Sequence, residues 1–116
     1  MTLKIVGVEA AGDLESERVV LRAVADVAIG KYILLCTRRS PDGKVYSGPV
    51  NHAYWFETIP VKAGDYVVLY SKDGQRSEKR SENTGSSYFF YWRQKSSIWS
   101  SDFKPTLMLA STWEWT

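Results

Sequence analysis

Nucleophilic catalysis needs a nucleophile within reach of a base, and this sequence holds one cysteine, Cys36, and one histidine, His52. Cys36 stands inside the apolar run Tyr32-Ile33-Leu34-Leu35-Cys36-Thr37, where a thiol is expected to be buried and inert. His52 follows Asn51 and precedes Tyr54 and Trp55, a setting that suits a structural histidine. One imidazole and one thiol are too few for a zinc site, and Asp65, Asp73 and Glu82 lack the spacing of a calcium loop. Thirteen acidic residues could be paired for glycosidic hydrolysis in many ways, and nothing selects one pair. Glycine-rich phosphate motifs are absent. The expectation is a chain without catalytic residues, metal or cofactor, which acts by binding.

Binding chemistry is better represented. The segment Ser71 to Ser87 runs seventeen residues without a large apolar side chain and carries Lys72, Arg76, Lys79 and Arg80 against Asp73, Glu78 and Glu82. A loop of that length in a small domain is either solvated and mobile or a contact element that orders against a partner. Arg38 and Arg39, with Lys44 across a turn, form a second basic group. Arg93 and Lys95 follow the aromatic run that ends at Trp92. If these groups converge with Tyr88, Trp92 and Trp99, the patch has the composition that grips a nucleotide or single-stranded nucleic acid. Core packing and cross-strand pairing are the competing use of those aromatics. Trp113 and Trp115 are two apart near the C-terminus. They either cover an edge of their own domain or join two copies into a homodimer.

The elements that must position these residues read as strands. Leu3 to Val8 is short and β-branched, with a turn at Gly12-Asp13. Arg18 to Val24 is read as a strand over a short helix, because Val19, Val20 and Val24 are stiff at χ1. Tyr32 to Thr37 is apolar on both faces, and Pro41-Asp42-Gly43 behind it signals a hairpin whose return starts at Lys44 to Tyr46. His52 to Phe56, Tyr66 to Tyr70, Tyr88 to Trp92 and Thr106 to Ala110 complete the set. Seven or eight short strands at this spacing suggest one antiparallel β-sandwich.

The 116 residues fit one domain, 1–116, and the 14% aromatic content leans towards strands. A formal charge of +2 is too balanced to imply a polyanionic partner from bulk charge alone. The single cysteine fits a reducing compartment, so a cytoplasmic location is expected. No signal-peptide pattern opens the chain, and no apolar run approaches the roughly 20 residues needed to cross a bilayer, so a membrane partner is not expected.

The order Lys62-Ala63-Gly64-Asp65-Tyr66-Val67-Val68-Leu69-Tyr70, then Phe90-Tyr91-Trp92, then Ile98-Trp99-Ser100-Ser101-Asp102 and Leu107-Met108-Leu109 resembles the lamin-tail domain family. Gly30 to Leu35 and Tyr54-Trp55-Phe56 match the family's earlier strands more loosely. The resemblance covers residues 29 to 110. It departs at Asp102-Phe103-Lys104, where the family has Gly-Asp, and nothing in these residues resembles the coiled coil that precedes the domain in lamins. Membership would imply an all-β, immunoglobulin-like sandwich without catalytic apparatus, similar to small free-standing bacterial or phage-encoded proteins. The function expected on this basis is recognition of a protein partner, a second copy included, through strand edges and the 71–87 loop. Nucleotide or single-stranded nucleic-acid binding by the basic and aromatic residues is the alternative.

Overall fold

The structure is a computed structural model that describes residues 1–45 and 48–116. Among them are ten strands in three sheets. The first five elements are β1 (Leu3–Glu9), β2 (Arg18–Ala23), β3 (Val27–Ala28), a 3-10 turn at Ile29–Lys31, and β4 (Tyr32–Arg38). Then come β5 (His52–Trp55), β6 (Pro60–Val61), β7 (Tyr66–Tyr70), β8 (Ser77–Lys79), β9 (Ser87–Tyr91) and β10 (Phe103–Leu109). The larger sheet has the order β1-β2-β7-β9-β8, a second has β10-β4-β5, and β3 pairs with β6 alone.

The β2 segment is extended, as its valines require, and Val19, Leu21 and Ala23 alternate into the interior. The same alternation puts Val67 and Leu69 of β7 inward, and Tyr32, Leu34 and Cys36 of β4 inward from the other sheet. Together with Leu3, Phe90 and Trp99 they form one core to which both larger sheets contribute. The Tyr32 hydroxyl ties the sheets further by accepting the N–H groups of Thr2 and Leu3, 3.2 and 3.3 Å away.

Three expectations need correction. The strand number is ten rather than seven or eight, because β3 and β6 are only two residues long and β8 lies in the polar insertion. The pairing is not wholly antiparallel, since β7 and β9 run parallel with Tyr66 opposite Ser87 and Tyr70 opposite Tyr91. The physical reason is the insertion itself. The chain leaves β7, passes beyond the position of β9 to form β8, then turns back, so that β9 is antiparallel to β8 and therefore parallel to β7. Finally, the last strand starts at Phe103, ahead of Thr106, and takes Pro105 into the ladder opposite Cys36. Proline is tolerated there because β10 is an edge strand and its missing N–H can face away from the sheet.

Behind β4, Gly43 donates to the Ser40 carbonyl at 2.8 Å and the Ser40 hydroxyl donates to the Asp42 carboxylate, which closes the expected turn. Val45 bridges back to Arg39. The rest of the expected return, at Tyr46, lies outside the described residues.

Candidate binding site

A buried carboxylate gathers the segments at one end of the molecule. Glu17 precedes β2 and is fully enclosed. Its oxygens accept the Gly12 N–H at 2.9 Å, the Ser97 hydroxyl at 2.5 Å and the Ile98 N–H at 3.0 Å. Burial pushes its carboxyl up, but the Ser71 side chain beside it and the donors of Ser97, Gly12 and Ile98 outweigh that and hold it below the ordinary carboxylate value. This residue was invisible in the sequence, where Leu14-Glu15-Ser16-Glu17-Arg18 reads as a solvated turn.

The Cys36 and His52 pair can now be placed. The two stand opposite each other in the β4–β5 register and line a cleft of about 290 Å³ with Asn51, Ser97, Trp99 and Phe103. The thiol is buried and faces the Ile98 carbonyl at 3.5 Å. Burial pushes Cys36 up to about 11, and the nearby Glu17 carboxylate adds to that, so the thiolate that nucleophilic chemistry requires is scarce at neutral pH. His52 packs edge-on to Trp92, ring centroids 6.2 Å apart. Among the described residues no group of three or more His, Cys, Asp or Glu is arranged to hold a metal ion, and no helix is long and apolar enough to cross a membrane.

The 71–87 insertion is held down along much of its length. Ser71 and Lys72 carbonyls accept the Gln94 and Arg93 N–H groups at 2.7 and 3.2 Å, and Gly74 lies so close on Tyr91 that a Cβ there would enter the ring. Arg76 turns inward: its Nε is 3.4 Å from Glu57 and its guanidinium covers the Phe90 ring at 5.4 Å, closing the core beside β8. At the far end the Asp65 carboxylate accepts the N–H groups of Lys62 and Ser86 at 2.8 and 2.9 Å. Gly85, at φ +86°, sits against the Gly64 carbonyl, where a side chain would collide. Between this anchor and β8 lies an open cleft of about 1090 Å³, lined by Arg22, Lys62, Arg80, Glu82, Asn83 and Thr84 among others.

Several of the basic residues singled out in the sequence have local partners. Arg38 ends β4, exposed, opposite Phe103. Arg39 is a turn clamp, its guanidinium donating to the Gly43 and Pro105 carbonyls at 3.5 and 3.3 Å. Arg93, at φ +59°, pairs with Asp73 at 3.3 Å, Arg80 with Glu78 at 3.6 Å, and Lys72 lies over the Tyr70 ring at 5.3 Å. Lys79 and Lys95 are exposed. Trp99 belongs to the core, 2% exposed, and Trp92 packs against it and Tyr54. Arg39 and Arg93 are thus held by local partners, Arg38 and Lys95 are exposed, and Trp99 lies in the core with Trp92 packed against it.

The outer face of the smaller sheet is different in kind. Register places Met108, Ile33 and Trp55 in one row across β10, β4 and β5. Trp113 stands edge-on against Trp55, centroids 5.4 Å apart, and the Trp55 indole N–H donates to the Gly30 carbonyl at 2.6 Å. The tail forms no strand; after Ala110 donates to the Lys31 carbonyl at 2.8 Å it runs irregularly, and Trp115 is 83% exposed. Trp113 thus lies on Trp55, itself 53% exposed, rather than on the core.

No family model, curated protein or solved structure matches the chain.

Proposed function

We propose that this chain is a non-enzymatic binding module, an immunoglobulin-like sandwich of the lamin-tail kind, whose partner is a protein and in the simplest case a second copy of itself. The observation that carries the reading is where the exposed large apolar side chains fall. Of the nine among the described residues, Trp55, Met108, Leu109, Trp113 and Trp115 all belong to the smaller sheet or the tail beside it. Single exposed apolar residues are ordinary, but a cluster rich in tryptophan and methionine has the composition of an interface centre. The flanking strands add to it, since β5 and β10 are both sheet edges with backbone groups open to strand addition. The polar cleft beneath the 71–87 insertion is a second contact region, suited to a charged segment of the partner.

Sizing with light scattering across a range of concentrations tests the self-associating form. The full chain is expected to run as a dimer, and a chain ending at Ala110, or carrying Trp55→Ser, as a folded monomer. A full chain that stays monomeric at high micromolar concentration rules out a second copy as the partner.

A further inference from the structure

The opposite side of the molecule carries a surface of another character, the outer face of the five-stranded sheet. Because Val67 and Leu69 point inward, Tyr66, Val68 and Tyr70 point outward, and the registers extend that face across all five strands. One row reads Lys4, Arg22, Tyr66, Ser87, Lys79; the next reads Gly7, Val20, Val68, Phe89, Ser77; the third reads Glu9, Arg18, Tyr70, Tyr91. Tyr70 and Tyr91 stack at 5.4 Å with planes 10° apart, and Phe89 lies tilted beside Tyr70 at 6.5 Å. The cations lie over the rings, Arg18 above Tyr70 at 5.9 Å and Arg22 above Tyr66 at 5.8 Å, with Lys72 on Tyr70 as well.

Charge on this face is one-sided. Among the described residues the three rows hold Lys4, Arg18, Arg22 and Lys79, with Lys72 over Tyr70, against one carboxylate, Glu9, which Arg18 already holds at 2.5 Å; Arg22 also borders the cleft that Asp65, Glu78 and Glu82 line. Glu78 sits opposite Tyr88 in the β8–β9 register and so projects from the other side of the sheet. The middle row is uncharged, and cations and tyrosines share the two rows that flank it, Lys4, Arg22, Tyr66 and Lys79 on one side and Arg18, Tyr70 and Tyr91 on the other. Tyr70 and Tyr91 on adjacent strands, with Phe89 and Tyr66 on the neighbouring rows and guanidinium and ammonium groups beside them, suit a chain that presents flat rings and anions.

We propose that this sheet face binds single-stranded nucleic acid, with Tyr66, Tyr70, Phe89 and Tyr91 contacting bases and Lys4, Arg22, Lys72 and Lys79 contacting phosphates. This goes beyond the protein-binding reading above; the face shares Arg22 with the cleft beneath the insertion but none of the Trp55 and Trp113 surface, so truncation after Ala110 leaves it intact and separates the two readings.

The test is fluorescence anisotropy with a labelled oligothymidylate of about 12 nucleotides, a duplex of the same length, and heparin as competitor. The single strand is expected to bind at low salt and to weaken as salt rises, with a log–log slope of about −2 to −3 if three to four phosphates are neutralised. Arg22→Glu with Lys79→Glu should lower affinity at least about tenfold. Arg38→Glu with Lys95→Glu, which changes net charge by the same amount elsewhere, should change it less than about threefold. Tyr66→Ala, with both charge reversals undone, should cost about tenfold, the loss of one stacked base. Circular dichroism checks that each variant is folded. Equal losses from the two charge reversals, equal affinity for duplex and single strand, heparin competing no less well than unlabelled oligothymidylate at equal charge, or no binding at low salt would each overturn the proposal.

Discussion

Replacing Glu17 by alanine removes the fully enclosed acceptor for three donors at once, the Gly12 and Ile98 N–H groups and the Ser97 hydroxyl, in hydrogen bonds that are part-buried. Hydrogen bonds to a charged group contribute about 1.5–3 kcal/mol each, and a buried donor left unpaired costs about 1–3 kcal/mol. Local relaxation makes these overlap, so the loss of three hydrogen bonds to one carboxylate should come to roughly 3–5 kcal/mol. With a urea m-value of about 2 kcal/mol per molar, the unfolding midpoint should drop by about 2 M. Glu17→Gln keeps one acceptor oxygen but turns an NH₂ towards donors, and should cost about half as much. The pH dependence gives an independent check. The folded carboxyl lies below its unfolded value of 4.5, so its contribution is complete above about pH 5 and is lost as pH falls through the folded pKa. The stability gap between the native chain and Glu17→Gln should therefore narrow on going from pH 6 to pH 3. A Glu17→Ala chain within about 0.5 kcal/mol of the native one, or a gap that does not change with pH, refutes the clamp.

Two further outcomes follow from local geometry. Cys36, pushed up to about 11, should alkylate with iodoacetamide at pH 8 at least about a hundredfold more slowly than a small free thiol, and at the ordinary rate in denaturant; a native rate equal to the denatured one contradicts its burial. Gly85→Ala combines a positive φ with a collision against the Gly64 carbonyl and should cost about 2–3 kcal/mol in chemical denaturation. Gly12→Ala, also at positive φ but facing open space, should cost about 1 kcal/mol, and a reversed order would show that the Gly64–Gly85 contact is slack.

Strands that carry their own alternation were readable from the chain. Tyr66–Tyr70 has the same bounds in the structure as in the sequence, and Arg18–Ala23 is extended for the χ1 reason given by its valines. Ser77–Lys79 was not readable, because all three side chains are exposed and the strand exists through backbone pairing to β9. The parallel alignment of β7 and β9 was hidden for the same reason, since only β8 reveals which way the chain returns. Of the candidate site residues, Lys79 and Arg38 are surface cations as their sequence context suggests. Arg76 is spent on Glu57 and Phe90 and Arg39 on the Pro105 carbonyl, contacts to segments 14 or more residues away that no local pattern announces. Glu17 shows the converse: a charge in a polar stretch is buried because two of its three donors come from residues eighty or more positions later.

The pairing of β4 with β10 bears on how the chain is made. Phe103 lies 65 residues after Arg38, yet it is Arg38's register partner. At about 5–20 residues per second of synthesis, β4 emerges several seconds before the strand that flanks it. For that interval Ile33 and Leu35 lie along an open edge, with only β5 to occupy the other side. Nascent chains of this protein therefore pass through a window in which the same apolar surface is offered to any neighbour, and slower synthesis or crowded polysomes should raise the fraction lost to aggregation.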